Sequence, residues 1–360
     1  METELQQLAL RQARRFNLPG PVISLRPFGT GHINDTFLVE AHGGKWVLQR
    51  ISAAFPHPEE VMANVAGVIR HLKRRPGRVF PSLVETREGK ICAFDEAGSC
   101  WRVLDYIADT QTYELPESPE LFRQAALAFG DFQLALADYP AHTLYETLPR
   151  FHDTPHRIAQ LEAAMSLDSA GRLALCREET AFALSRRERA GKLQALRQSG
   201  LLPLRVTHND TKLNNVLMDE AGRAVCVVDL DTVMPGLSAY DFGDAVRFGA
   251  NTALEDETNL TQVDFSLAMF RAYAQGYLSK TLPVLTPLEV ETLPLGAWTM
   301  TYECGIRFLA DHLNGDTYFH IDYAGHNLVR ARNQFKLLAE MERKEEAMAQ
   351  IIREVAGGLQ

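Results

Sequence analysis

The sequence predicts an α+β chain in two lobes, a small β-rich one followed by a larger, mostly helical one. Three observations carry this. Short β-branched and aromatic runs separated by glycine turns crowd residues 22–107. Apolar residues at helical intervals dominate most of the chain beyond that region. One strand-rich stretch, Arg205 to Asp231, interrupts those helices and carries a dense set of polar residues.

In chain order, Glu2 to Phe16 reads as a helix with Leu5, Leu8 and Ala9 on one stripe, stopped by Asn17-Leu18-Pro19-Gly20. Val22 to Leu25, Thr36 to Glu40 and Trp46 to Ile51 read as strands, the last two joined by the hairpin turn His42-Gly43-Gly44-Lys45. Pro58 to Arg74 repeats Val61, Val65, Val68, Ile69 and Leu72 as a helix. Short strands are expected near Leu83-Val84 and from Lys90 to Phe94, then a crossover strand over 101–107. Ser118-Pro119-Glu120 supplies an N-cap with proline in the first turn of the next helix. A long charged helical stretch runs from Phe151 to about Arg197; further helices cover Asp264 to Tyr277, Pro287 to His312 and Asn327 to Glu354. The N-terminal lobe is placed at residues 1–104 and the C-terminal lobe at 105–360.

Composition narrows the function classes. The chain has 360 residues, 46% hydrophobic and 23% charged, with 46 acidic against 37 basic residues and a net charge of -9. No long basic block is present, so nucleic acid is not expected as a partner. Five scattered cysteines without a C-x-x-C pair fit neither a disulfide framework nor a zinc ribbon. No apolar run is long enough for a membrane span, and the N-terminus lacks a signal-peptide core. A cytoplasmic protein is expected, with no obligate protein partner evident.

The chemistry concentrates in RVTHNDTKLNNVLMDEAGRAVCVVDLDTVMPGLSAYDFGDAVR. His208, Asp210 and Asn215 stand in an H-x-D-x-x-x-x-N spacing, and a β-branched run delivers Asp229 and Asp231 at its end. A carboxylate base, an amide and a metal-ready carboxylate on adjacent strand ends are the parts of a magnesium-dependent phosphoryl transferase. Asp210 is the expected general base, and Asn215 and Asp229 the expected Mg2+ ligands, with Asp231 as the alternative ligand. His208 is expected to be structural. Lys212 reads equally as a phosphoryl-stabilising cation or a solvent lysine. Asp241-Phe242-Gly243 spells D-F-G but lies too far past Asp210 for the metal role, so Asp241 is expected to brace the catalytic loop.

Upstream, the loop FGTGHIND places Gly29 and Gly31 where backbone amides can approach phosphates. It leads into a strand, which excludes a dinucleotide-binding fingerprint. Arg50, at the end of the strand WVLQRI, is the expected phosphate cation, with Glu59, Glu60 or Asn64 as its helix partner. Alternation puts Leu48 and Arg50 on one strand face and Gln49 on the other.

T-H-N-D-x-x-x-x-N, V-V-D-L-D and Y-D-F-G-D together resemble the aminoglycoside phosphotransferase and choline kinase superfamily. That resemblance implies a protein kinase-like fold using ATP and Mg2+. The flanking runs F-G-T-G-H-I-N-D-T-F, W-V-L-Q-R-I, F-P-H-P-E-E-V-M-A-N, V-V-D-L-D-T-V-M-P-G and E-C-G-I-R-F-L-A-D-H-L-N-G-D-T-Y-F are similar to the N-acetylhexosamine 1-kinase subgroup over roughly residues 20–340. This likeness implies transfer of the ATP γ-phosphate to the anomeric hydroxyl of a small-molecule sugar. It also implies an adenine hinge at residues 104–107, with Asp105 and Ile107 offering backbone groups. His32, Phe248, Arg307 and Tyr318 would line the sugar pocket, Asp210 reaching the same substrate. An ion pair between Arg307 and Glu303, one helical turn apart, is the competing reading of Arg307. The departure from the broader superfamily is Gln49-Arg50 where a lysine is expected.

Overall fold

The computed structural model describes residues 3–29, 34–75 and 77–359. Helix α1 (Glu4–Ala13) opens on a capping box in which Thr3 and Gln6 satisfy each other's backbone amides. Strands β1 (Val22–Pro27), β2 (Asp35–Ala41) and β3 (Gly44–Arg50) form an antiparallel meander. Helix α2 (Pro58–Leu72) comes next, then β4 (Leu83–Val84), β5 (Ala93–Phe94) and β6 (Cys100–Asp105). The sheet order is β1-β2-β3-β6-β4, with β5 on the far end of β6. One sheet face packs on α1 through Trp46, Leu48, Trp101 and Val103 against Ala9, Ala13 and Phe16.

After β6 the chain turns helical: α3 (Pro119–Ala135), α4 (Thr154–Leu167), α5 (Arg177–Leu184), α6 (Arg187–Ala190) and α7 (Lys192–Gln198). The single charged helix expected over 151–197 is thus broken. Asp168 ends α4 in the left-handed region at φ 37°, and its side chain accepts the amides of Arg172 and Leu173. Local side-chain bonds of this kind compete with helix continuation. The polar core comes after these helices as β7 (Arg205–Thr207), β8 (Val216–Met218), β9 (Ala224–Val227) and β10 (Met234–Gly236), paired β7 with β10 and β8 with β9. Helices α8 (Ser238–Gly249), α9 (Leu267–Thr281), α10 (Pro287–Leu313), α11 (His326–Arg343) and α12 (Glu345–Leu359) complete the lobe. The last two were expected as one helix; Lys344 leaves helical geometry between them and anchors to Asp264 and the Phe265 carbonyl. The architecture is the expected α+β, protein kinase-like one. No helix among the described residues is long and apolar enough to cross a membrane.

Two backbones touch where α8 crosses α10. A Cβ on Gly243 would land on the Gly296 carbonyl, and one on Gly296 would strike the Ala239 carbonyl. Both obstacles are main chain, so no side chain can swing aside. Gly243→Ala is expected to lower unfolding free energy by about 3 kcal/mol or more, at the upper end for overpacking. Urea denaturation checks it; a loss below about 1 kcal/mol would mean that the helices separate freely.

Candidate active site

The site is built where β7 ends. After Thr207 the chain runs through His208, Asn209 and Asp210 to a short turn at Leu213–Asn215, then into β8. Helix α8 holds this loop from below. Asp241 accepts the amides of His208 and Asn209, both at 2.8 Å, and Asp244 accepts that of Thr211 at 3.0 Å. Burial pushes the Asp241 carboxyl up to about 6, against the pull of His208 and those amides. Asp241 of the D-F-G triplet therefore braces the loop, as its position suggested. His208 is fully buried, donates from Nε2 to the Val228 carbonyl at 2.9 Å and meets Phe129 and Phe132 edge-on. Asn209 is held at φ 63°, its amide group donating to Thr232 O. A side chain held in this sparsely populated region is backbone strain at a polar site.

The β8–β9 hairpin brings the two ends together. Val216 faces Val227, and the Val228 amide donates to Asn215 O at 2.9 Å, so Asp229 emerges beside Asn215. Asn215 Nδ2 donates to the Asp210 carbonyl and to its carboxylate, at 2.9 and 3.1 Å. Asp210 also pairs with Lys212 at 2.9 Å. Burial alone would raise the Asp210 carboxyl, but Lys212 and the polar neighbours outweigh it and hold it below the usual carboxylate range. Lys212 is correspondingly raised, chiefly by Asp210. Asp229 is held at φ 59°, and its carboxylate takes no hydrogen bond or ion pair among the described residues. Burial, then the charges of Asp231 and Asp210, push it up to about 6.

These oxygens suit a hard divalent cation. Asn215 uses its nitrogen on Asp210, leaving its amide oxygen uncommitted among the described residues, and Asp229 is a half-buried carboxylate in need of a counter-charge. Among the described residues no three His, Cys, Asp or Glu side chains form a cage. One or two protein oxygens with the rest of the shell supplied by water and phosphate is the usual arrangement for Mg2+.

Arg50 is not brought to this cluster. It shares the β3 face of Trp46 and Leu48, which α1 covers, and pairs with Asp35 directly across the strands at 2.5–2.7 Å. Its expected helix partners do not reach it: Asn64 is buried and bonds Tyr145 and the Val233 carbonyl. The opposite face carries Gln49 and, across the ladder from it, Arg102. Arg102 is fully buried, takes both donors of its fork to Gln49 Oε1 at 2.8 and 3.0 Å, and forms an ion pair with Asp231. Burial works against its charge, and contact with Asp231 overcomes that and raises it. Asp231 is further bonded by Asn34 Nδ2 at 2.7 Å, so it is already neutralised where Asp229 is not. Sequence reasoning missed Arg102 and Asn34. The available signal was a lone arginine inside the apolar strand Trp101-Arg102-Val103-Leu104, on the face opposite Leu48.

The remaining expected residues lie on β6, on the loops that follow β1, β6 and α10, and on α8 and α10. Asp105 ends β6 and donates its amide to Ser82 O; the Ile107 carbonyl accepts from Thr110, and its N–H donates to no described residue. Gly29 lies at φ 81°, while Gly31 and His32 lie outside the described residues. Phe248 is half-buried near the end of α8. Arg307 on α10 sits 5.4–5.8 Å from the rings of Phe151, Tyr318 and Phe319, with the Tyr318 hydroxyl at 3.5 Å. It does not pair with Glu303. That carboxylate is committed to His152 at 3.0 Å and Thr154 at 2.7 Å. His152 in turn lies 3.4 Å from the Asn209 carbonyl, linking the α10 wall to the Asp210 loop.

The fold and this constellation define a small-molecule kinase of protein kinase-like architecture. A family model described as "Phosphotransferase enzyme family" matches residues 24–286, and the chain belongs to that family. Solved structures share the whole fold. A microcompartment-associated aminopropanol kinase is 17% identical with a TM-score of 0.64, covering 95% of this chain and 98% of its own. An aminoglycoside phosphotransferase from Alicyclobacillus acidocaldarius subsp. acidocaldarius is 12% identical with a TM-score of 0.61, covering 97% and 96%. A choline kinase from Cryptosporidium parvum Iowa II is 13% identical with a TM-score of 0.57, covering 92% of each chain. At these identities the likeness is one of fold.

Proposed function

We propose that the protein transfers the γ-phosphate of ATP to the anomeric hydroxyl of an N-acetylhexosamine, giving the sugar 1-phosphate. The nucleotide base is received by the backbone of Asp105 and Ile107, with Gly29 on the side of its phosphates. A spectinomycin phosphotransferase of the same fold, 12% identical, is described in complex with ADP. Asp210 accepts the acceptor proton. An anomeric hydroxyl is more acidic than an ordinary alcohol because the ring oxygen withdraws electrons, so an ionised, low-pKa carboxylate suffices. Asn215 and Asp229 would hold magnesium, which when bound would supply charge neutralisation at the phosphates. Lys212, held against Asp210, is the cation at the reacting oxygens, a role for which Arg50 is placed on the wrong face.

One observation carries the choice of a neutral sugar over a cationic amino alcohol. Two carboxylates of the segment beside Arg307 are spent internally: Asp311 accepts from Thr317, Tyr318, Phe319 and Asn327, and Asp316 from Asn327 and Arg172. The Arg307 guanidinium stands among three aromatic rings, and the acceptor is assigned to this cluster. An ammonium there meets like charge, whereas a sugar ring finds an aromatic face and donors for its oxygens. The test is ATP consumption with magnesium over free sugars and amino alcohols, followed by phosphorus NMR of the product. Phosphate on an anomeric carbon supports the assignment; a 6-phosphate or phosphocholine product overturns it.

The metal assignment makes a pH prediction. A carboxyl raised to about 6 carries its proton below that pH and must lose it before a cation binds. Mg2+ affinity in the presence of ADP is expected to be flat above about pH 7 and to fall about tenfold per unit below about pH 6. Calorimetric titration across this range checks it, and a pH-independent affinity would remove Asp229 as ligand.

A further inference from the structure

The chain reverses sharply after α10. Gly315 and Asp316 both take left-handed conformations, at φ 93° and 61°, and the Asp316 amide returns to Asp311 O at 2.8 Å. The returning segment then passes over α10 back towards Arg307. Asp311 and Arg307 are one helical turn apart on α10, hence on the same face. The Asp311 carboxylate is buried beneath this segment. Its Oδ1 accepts the amides of Thr317 and Tyr318 at 2.9 and 2.8 Å; its Oδ2 accepts the amide of Phe319 and the side chain of Asn327, both at 2.9 Å.

Three consecutive backbone N–H groups converging on one carboxylate form an anion nest made by the chain for its own side chain. Charge-assisted bonds of this kind are roughly twice as strong as neutral ones. Asn327 extends the grip: the same amide group donates to Asp316 at 2.9 Å, and Asp316 is held by Arg172 at 2.5 Å. The segment is therefore pinned from α10, from α11 and from the loop after α4. What this anchor presents is specific. Tyr318 is 71% exposed with its hydroxyl near Arg307, and Phe319 packs on Phe308 with its ring 5.4 Å from the same guanidinium. An aromatic this exposed on a backbone this firmly held is a prepared surface for a ring.

We propose that Asp311 is a positioning residue for the acceptor pocket, gathering the amides of residues 317–319 so that Tyr318 and Phe319 stand over Arg307, without itself touching the acceptor. This rests on the reading of Arg307 and Tyr318 as acceptor-binding. An asparagine at 311 replaces one accepting oxygen with an NH2 group facing N–H donors, so the nest opens while the volume is unchanged.

The test is steady-state kinetics with N-acetylglucosamine and ATP. Asp311→Asn is expected to raise the acceptor KM about tenfold or more, with kcat and the KM for ATP within about twofold, since uniform acceptor binding is lost and the transfer machinery is not. Hydrogen exchange at the amides of 317–319 should quicken selectively. In a Tyr318→Ala, Phe319→Ala background, Asp311→Asn should add little to the acceptor KM, because its effect runs through those rings. Should Asp311→Asn not fold, Asn327→Ala, which removes the amide that donates to Asp311 and Asp316 but leaves the three backbone donors, is expected to raise the acceptor KM about threefold with the same selectivity. Arg307→Ala separates the two ideas. If it leaves the acceptor KM unchanged, the acceptor-pocket reading fails. If it raises KM while the folded Asp311 or Asn327 variant does not, the positioning role is overturned. An equal loss in kcat and in the KM for ATP would reduce Asp311 to a general structural residue and overturn it as well.

Discussion

Asp210→Asn is expected to lower kcat by about 10²-fold or more, the scale of a positioned general base, while the KM for ATP moves little. Asp210 sits where three elements meet: the β7 end delivers it, Asn215 grips both its carbonyl and its carboxylate, and Lys212 keeps it ionised. The amide of the variant keeps the shape and can still bond a neighbour, so thermal stability should change far less than activity. It cannot take a proton from the acceptor, and it leaves Lys212 without its counter-charge. Stopped-flow measurement of the transfer step, beside a thermal melt, separates the two effects. Near-normal turnover in a folded variant would remove Asp210 as the base and leave Lys212 and the metal to account for catalysis by charge neutralisation alone.

The second large effect is on stability. Arg102→Met is expected to cost about 3–5 kcal/mol, the range for breaking a buried ion pair from one side. Asp231 is 3% exposed, and without Arg102 its carboxylate keeps only the Asn34 side chain among the described residues. The double variant Arg102→Met, Asp231→Asn should recover most of the loss, because the cost arises from the stranded charge more than from the missing attraction. Denaturant unfolding of the wild type, both single variants and the double variant gives the cycle. Additive losses would show that Arg102 acts through packing and through Gln49. The pair also joins β6 of the sheet to the turn after Asp229, so the single variant should loosen the lobe junction.

The grouping of the candidate residues was legible because they stand at close sequence spacing. Asp210, Asn215 and Asp229 lie on one loop and one hairpin, and local pairing of β8 with β9 suffices to set them side by side. Asp241 was legible as a brace for a related reason: its distance along the chain did not suit the return of a hairpin. Element boundaries failed where side chains competed with helix continuation, at Asp168 and at Lys344.

The failure at Arg50 is more instructive. Alternation correctly grouped it with Leu48, but period two does not say which face of a sheet looks into a cleft. That was decided by α1 and the turn after it, whose Ala9, Ala13 and Phe16 cover the Leu48 face and leave Gln49 and Arg102 on the other. Arg307 shows the same dependence. Its turn-spaced neighbour Glu303 was a plausible partner until His152 and Thr154, distant along the chain, were seen to occupy it.

The sequence by itself determined the α+β class and the close grouping of Asp210, Asn215 and Asp229, because each rests on periodicity or on spacing within a few tens of residues. Tertiary structure alone decided which cation faces the carboxylates, which aspartate is left without a partner among the described residues, and which carboxylates near Arg307 are already satisfied. Those choices depend on desolvation and on partners brought from far along the chain. A charge is available to a ligand only when folding has given it no other partner.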